Sequence, residues 1–510
     1  MGELDAAGET VNRGLALLAI GVTALLSSAH VGSPDTWFEG MAGPYPVRVV
    51  IRAPGVVPGL SEITIRVSGG GVHRVTATPV IWNTGAGGIP PADEAKPVPG
   101  DPELYSVQLW FMRASSYSVH VTVEGDQGTG TVQVPFQAVA TRHLPLNRPL
   151  QIVLSVAGLI LFAGAVTLIG AATRESVLPP GEEPNRRRKI LSVVAMVASA
   201  MVLALGVIGG RAWWNAVEAE YRQEMYRPFA AKATVAWSEA GSSLEFEILD
   251  SVWRARGWTP LIPDHGKLMH LFLVRDSLGA GFAHLHPVAI DSNRFDARIP
   301  ALPAGHYRIY ADIVHESGFA QTLVAVVNLH GEAAPRGWKP SDADDSWLLE
   351  RADEAVGAGG AVKLPDGSTM TWEASSTKVD PKVDAGLRFK VTAPDGKPAR
   401  LEPYMGMAGH AIIERSDGSV FAHLHPMGTA AMASQLAFEV RQPQDTAIGV
   451  VSKKLAAEPD LMSSAMMHEG EPGVVEFPYA FPRDGTYRVW AQVKLAGRVQ
   501  TGMFRLEVPE

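Results

Sequence analysis

The 510-residue sequence contains no cysteine. That single absence excludes disulfides, thiolate metal sites and cysteine nucleophiles. Any metal would have to be held by imidazole, thioether or carboxylate, and stability has to come from packed cores. Basic residues are also in the minority, 44 Lys and Arg against 53 Asp and Glu, for a net charge of −9. The one basic cluster is Arg186-Arg187-Arg188-Lys189, so there is no stripe for a phosphate backbone and nucleic acid is not expected as a partner. Also missing are a Ser-His-Asp arrangement, a phosphate-binding loop and a flanking acid pair, and the chain is not expected to be an enzyme.

Charge is absent altogether from two long stretches, Leu150–Thr173 and Ile190–Gly210. Each has the roughly 20 residues needed to cross a hydrocarbon core of about 30 Å. The basic cluster lies in the short connection, 174–189, and basic short loops mark the cytoplasmic side. The two spans therefore read as a membrane hairpin dipping into the cytoplasm, with the flanking domains on the extracytoplasmic, periplasmic side of the cytoplasmic membrane. A shorter apolar run, Gly14–Ala29, follows Arg13 and ends in Ser27-Ser28-Ala29. Residues 1–29 read either as a cleaved signal peptide or as a retained anchor. Cleavage would make His30 the mature N-terminus, with its amine beside its imidazole.

What remains is strand-rich. Val47–Arg52, Glu62–Val67, Leu104–Met112 and Tyr117–Val123 alternate or are β-branched, between Gly- and Pro-rich turns. This predicts a mainly β protein of three β-sandwich domains, at 30–143, 229–332 and 342–509, plus the two-helix hairpin. The last two domains are joined by a polar linker, Pro335–Ser346, and share internal similarity. Lys267–Pro287 and Met407–Pro426 both end in Phe-Ala-His-Leu-His-Pro, and each precedes a matching pair of strands, so they read as two copies of one module.

Within the second copy, Asp417-Gly418 between alternating strands is a hairpin signal. Centring the turn there pairs Ile412 with His423 and His410 with His425. The three histidines then share one face, close enough to bind one ion. The longer turn of the first copy keeps His270 opposite His286, with His284 beside them. The expected metal ligands are thus His270, His284 and His286, and His410, His423 and His425. Weaker candidates are Met269, Met405, Met407 and Met427, with His315 and His30. Further methionines, Met462, Met466 and Met467, precede His468. Thioethers favour Cu(I), and imidazole suits copper and zinc alike; copper is the first expectation and zinc the alternative. A core pair of hydrogen-bonded histidines without metal is the plainer reading of each hairpin.

The Met-His…Phe-Ala-His-Leu-His-Pro module, with Ala-Gly-His-Tyr-Arg-Ile-Tyr-Ala-Asp after it, resembles immunoglobulin-like extracytoplasmic domains of bacterial membrane proteins in the style of the YtkA-like and FixH-like families. The resemblance implies immunoglobulin-like sandwiches and a link to copper handling. Two functions follow as expectations. One is a membrane-anchored protein that holds copper or delivers it to an acceptor. The other is a metal-free assembly protein that docks a membrane complex through its sandwiches.

Overall fold

The computed structural model describes residues 30–31, 35–179, 181–239, 241–250, 259–276, 281–331, 335, 337–349, 355–357, 359–373, 379–383, 385–457 and 471–510. The expected signal or anchor (1–29), Met462, Met466, Met467 and His468 lie outside them. The described chain is mainly β, with several antiparallel sheets, and divides into two compact units, 140–226 and the remainder.

The smaller unit consists of two helices, α1 (Arg148–Glu175) and α2 (Arg186–Glu224). Both are long and apolar enough to cross a membrane. The Asn147 and Asn185 side chains cap them, accepting from the amides of Leu150 and Arg188. The basic cluster is thus the first turn of α2 and not the end of a loop, and the segment 212–224 continues the same helix. Leu161 and Val202 point outward, as do most of the apolar side chains. Ser192 donates to the Gly170 carbonyl at 2.7 Å, where α1 and α2 meet.

In the larger unit, Thr36–Ala42, Tyr45–Ile51, Gly59–Val67, Lys96–Val98 and Asp101–Phe111 form one sheet. Val72–Ile81, Asp93–Glu94, Ser115–Gly125 and Gly128–Ala138 form a second. Gly59–Val67 buries every other residue, as a strand with one face on a core must.

The two similar segments build the rest. The first supplies β1 (His270–Arg275), β2 (Phe282–Leu285), β3 (Gly305–His315) and β4 (Ser346–Leu348), which pair with one another in one sheet. The second supplies β5 (His410–Arg415), β6 (Val420–Leu424) and β7 (Gly485–Leu495). Pairing follows the expected register: Ile412 opposes His423, and Phe272 opposes His284 with Leu271 opposite Leu285. The segment read as a linker ends in β4, which adds an edge to the first copy's sheet by pairing Ser346 with His284.

β1 and β5 are buried along nearly their whole length. A strand reads so when both faces of its sheet are covered. Leu271 and Leu273 point into a core shared with Leu244, Phe246 and Phe295 of the sheet behind. Ala411 and Ile413 do the same against Trp372 and Phe389. The opposite faces, Phe272, Val274, Phe282 and Tyr310 from one copy with Ile412, Phe421 and Trp490 from the other, form a third cluster. The two copies are therefore stacked sheet against sheet. Phe282 stacks on Trp490 (4.8 Å, 13°) and Phe421 stacks on Tyr310 (4.0 Å, 11°). Phe282 and Phe421 occupy equivalent positions in the repeats, as do Tyr310 and Trp490, so the contacts are reciprocal, as an approximate twofold axis would make them.

Candidate metal centre

The histidines stand on the faces that meet. Period-2 alternation puts Leu271 and Ala411 into the sandwich cores and His270 and His410 toward the other copy. The consequence is one buried nest of seven imidazoles, His265, His270, His284, His286, His410, His423 and His425. Neighbouring ring centroids lie 4.6–6.4 Å apart.

Two sets of three offer ring nitrogens within 4.8 Å of one another: His270, His284 and His286; and His265, His410 and His425. The first is the set expected from the sequence. The second is not: His265, on a loop of the first copy, takes the place expected for His423. The reason lies in the repeat. Asp264-His265-Gly266 and Tyr404-Met405-Gly406 hold the same positions, and His265 and Met405 share a left-handed backbone (φ 52° and 51°). Stacking brings the two together, and His265 Nδ1 donates to the Met405 carbonyl at 2.9 Å.

Hydrogen-bond partners assign the tautomers. His284 Nδ1 faces Gln492 Oε1 at 2.9 Å. The Gln492 amide nitrogen is committed to Ser346 and Thr501, so the oxygen must face His284. The Tyr404 hydroxyl, 3.3 Å from the same ring nitrogen, donates to the Asp344 carbonyl. His284 therefore carries its proton on Nδ1 and a lone pair on Nε2. His270 Nε2 faces the Asp264 carbonyl at 3.1 Å, which places its proton there and a lone pair on Nδ1. The two lone pairs then confront each other, His270 Nδ1 to His284 Nε2, at 3.1 Å. Two nitrogens sharing an ion at 2.0–2.1 Å in tetrahedral geometry stand about 3.4 Å apart, and a cation converts this repulsive contact into ligation.

Outer partners complete the first set. His286 Nδ1 donates to Asp345 at 3.0 Å, and its main-chain amide to the same oxygen at 2.8 Å, leaving Nε2 unpartnered. A carboxylate behind an imidazole fixes the ring and raises its basicity as a ligand. In the second set His425 Nδ1 donates to the Ala430 carbonyl at 3.2 Å. The Nε2 atoms of His265 and His425 and both nitrogens of His410 are buried without partners. His423 Nδ1 lies 3.3 Å from Asp312, and its Nε2 is also unpartnered.

Burial holds six of the rings neutral. It pushes His265 and His425 down to about 4, and His270, His284, His410 and His423 well below the usual imidazole value, with neighbouring imidazoles adding to the effect. Neutral imidazole is the ligating form. Burial also raises Asp264, and lifts Asp312 to about 7. A cation in the nest would favour ionisation of both.

The weaker candidates divide. Met269 lies in the first copy's core and packs there. Met405, Met407 and Met427 are buried; Met405 and Met427 contribute carbonyls, Met427 accepting from the Glu39 amide. His315 bonds to the Thr259 carbonyl and to Gln321, outside both sets. Its neighbour Glu316 accepts from the Gly449 and Val451 amides and caps helix α4 (Val450–Ala457), which follows α3 (Met432–Val440). His30–Val31 pairs in parallel with Val420–Phe421, beside the strand carrying His423.

Over residues 362–449, which include the second hairpin, the chain matches the model of a family described as a domain of unknown function (DUF8832). No curated protein matches. Among solved structures it is similar to an alpha-2-macroglobulin of Salmonella reacted with methylamine, at 10% identity and TM-score 0.18 over 94% of this chain and 24% of that one. A trypsin-activated alpha-2-macroglobulin of Escherichia coli matches at 9% identity and TM-score 0.14, over 91% of this chain and 26% of that one. The BSP domain of a biofilm-associated protein matches at 7% identity and TM-score 0.12, over 95% and 67%. The chain thus spans about a quarter of the macroglobulins' length. At such scores the likenesses carry no argument about fold or function.

Proposed function

We propose that this chain is a membrane-anchored metal-binding protein that holds two ions in a buried histidine nest formed where its two repeats meet. The observation that carries the reading is the pair of facing lone pairs on His270 and His284, 3.1 Å apart with both tautomers fixed from behind. A hydrogen-bonded core pair would place a proton between them, and the Asp264 and Gln492 oxygens draw those protons away.

Copper is the first candidate ion and zinc the second. The all-imidazole sets serve both, and the buried Met405, which occupies the position in the second repeat that His265 has in the first, tips the choice toward copper. In this reading α1 and α2 cross the cytoplasmic membrane as a hairpin with Arg186–Lys189 on the cytoplasmic side. Three immunoglobulin-like sandwiches stand on the extracytoplasmic side, and the nest holds copper there for an acceptor.

The test is elemental analysis of the full chain purified in detergent from its native membrane. About two copper ions per chain are expected. Replacing His284, His286, His423 and His425 together by Ala should abolish them, and an unchanged metal content would end the proposal.

A further inference from the structure

We infer that the two three-histidine sets are one coupled two-ion centre, in which His423 is a ligand shared between them. The inference rests on the metal-binding reading above and deepens it.

Ring centroids within the first set lie 4.6–5.4 Å apart, and within the second 4.8–5.2 Å. His423 belongs to neither set, yet its ring stands within 5.7 Å of two members of each. It lies 5.2 Å from His270 and 5.7 Å from His284 on one side, 5.3 Å from His410 and 4.6 Å from His425 on the other. Its side chain is 5% exposed, and its Nε2 is buried without a partner. The other ring nitrogen lies 3.3 Å from Asp312; with that carboxyl ionised beside a cation, the proton sits on Nδ1 and the Nε2 lone pair is left for the ion.

Three imidazoles leave a tetrahedral ion one position short. His423 supplies the missing ligand to whichever ion it faces. The repeat gives the same answer from another direction. His284, the residue at the equivalent position, is a member of the first set, with Gln492 behind it where His423 has Asp312. His423 is thus a ligand by position, displaced from a closed set of its own because His265 completes that set from the other repeat. With a single lone pair on Nε2, His423 would serve one ion at a time, and could hand an ion from one set to the other without its leaving the nest.

The experiment uses the full chain in detergent, titrated with Cu(II) and with Zn(II) against a chromophoric chelator. His286→Ala and His265→Ala each leave one set intact and are expected to retain one ion. His423→Asn keeps a donor toward Asp312 and removes the Nε2 ligand. Introduced into each single-site background, it is expected to weaken the remaining ion at least tenfold in both. Weakening in only one background makes His423 an ordinary fourth ligand and overturns the sharing. Weakening in neither makes it a packing residue and overturns the inference entirely. Wild-type chain that takes up no metal refutes the parent reading instead. Should the Asn variant fail to fold, by circular dichroism, His423→Ala is read by the same criteria.

Discussion

His265 and Met405 occupy the same position in two repeats, share a left-handed backbone, and touch through a hydrogen bond from the His265 ring to the Met405 carbonyl. One repeat thus lends an imidazole to the other's histidines, and the loan carries a direct test of metal identity. His265→Met puts the second repeat's residue in both places. Zinc and Cu(II) affinity at the second set should fall at least tenfold, while Cu(I), which accepts thioether ligands, is retained. Equal losses for all three ions would count against copper.

Asp345 stands behind His286 and holds its proton on Nδ1, away from the unpartnered Nε2. Asp345→Asn keeps an acceptor of the same shape and removes the charge. Metal affinity at the first set should drop about 10–100-fold, with the second set unchanged. A chelator competition resolves the two steps.

Metal-free protein should lose stability on acidification. His265 and His425 titrate at about 4 in the folded chain, against about 6.5 unfolded. As pH falls below 6.5 the unfolded chain takes up protons that the native state refuses, so stability declines from about pH 6.5 toward 4. His270, His284, His410 and His423 act in the same direction. Asp264 and Asp312, raised by burial, oppose them but are fewer. Melting temperatures of metal-free protein at pH 7.5 and pH 5 check the sign; a rise on acidification would contradict it.

Trp490 joins the repeats by stacking on Phe282, and it is 1% exposed. Trp490→Ala should cost about 3–5 kcal/mol, read as a lowered denaturant midpoint. Because the second set draws ligands from both repeats, its metal should weaken in the same variant.

Glu316 separates structure from ligation. Its carboxylate is fully buried and accepts from Gly449, Val451 and Ser452 at the start of α4. Glu316→Ala should cost about 1–3 kcal/mol and leave metal content at its wild-type level. Lost metal in a variant that still folds would return His315 to the ligand list and add Glu316 to it.

The register of the nest was legible because Asp417-Gly418 fixes the turn, and alternation then decides which side chains share a face. The first set could be named in full for that reason. His265 was hidden because it sits on a loop, where no periodicity marks it; carrying the repeat alignment from His270 and His410 back to Pro263 and Pro403 would have set it beside Met405. Asp345 was hidden by its polar neighbours, which read as a linker although one of them enters the core. The stacking of the repeats left a trace in the unbroken apolar run Leu271–Val274. A run without alternation says that both faces are covered and leaves open what covers them, so two separate sites were the natural expectation.

The reciprocal contacts between the repeats carry a last consequence. A homodimer must place identical side chains on either side of its axis, so any change arrives twice. Joining the two halves in one chain lifts that constraint. Asp312 can face His423 while its counterpart Gln492 faces His284, an ionisable carboxyl behind one imidazole and a neutral amide behind the other. In the proposed centre, affinity can then be graded across the nest, which would give an ion a direction in which to move.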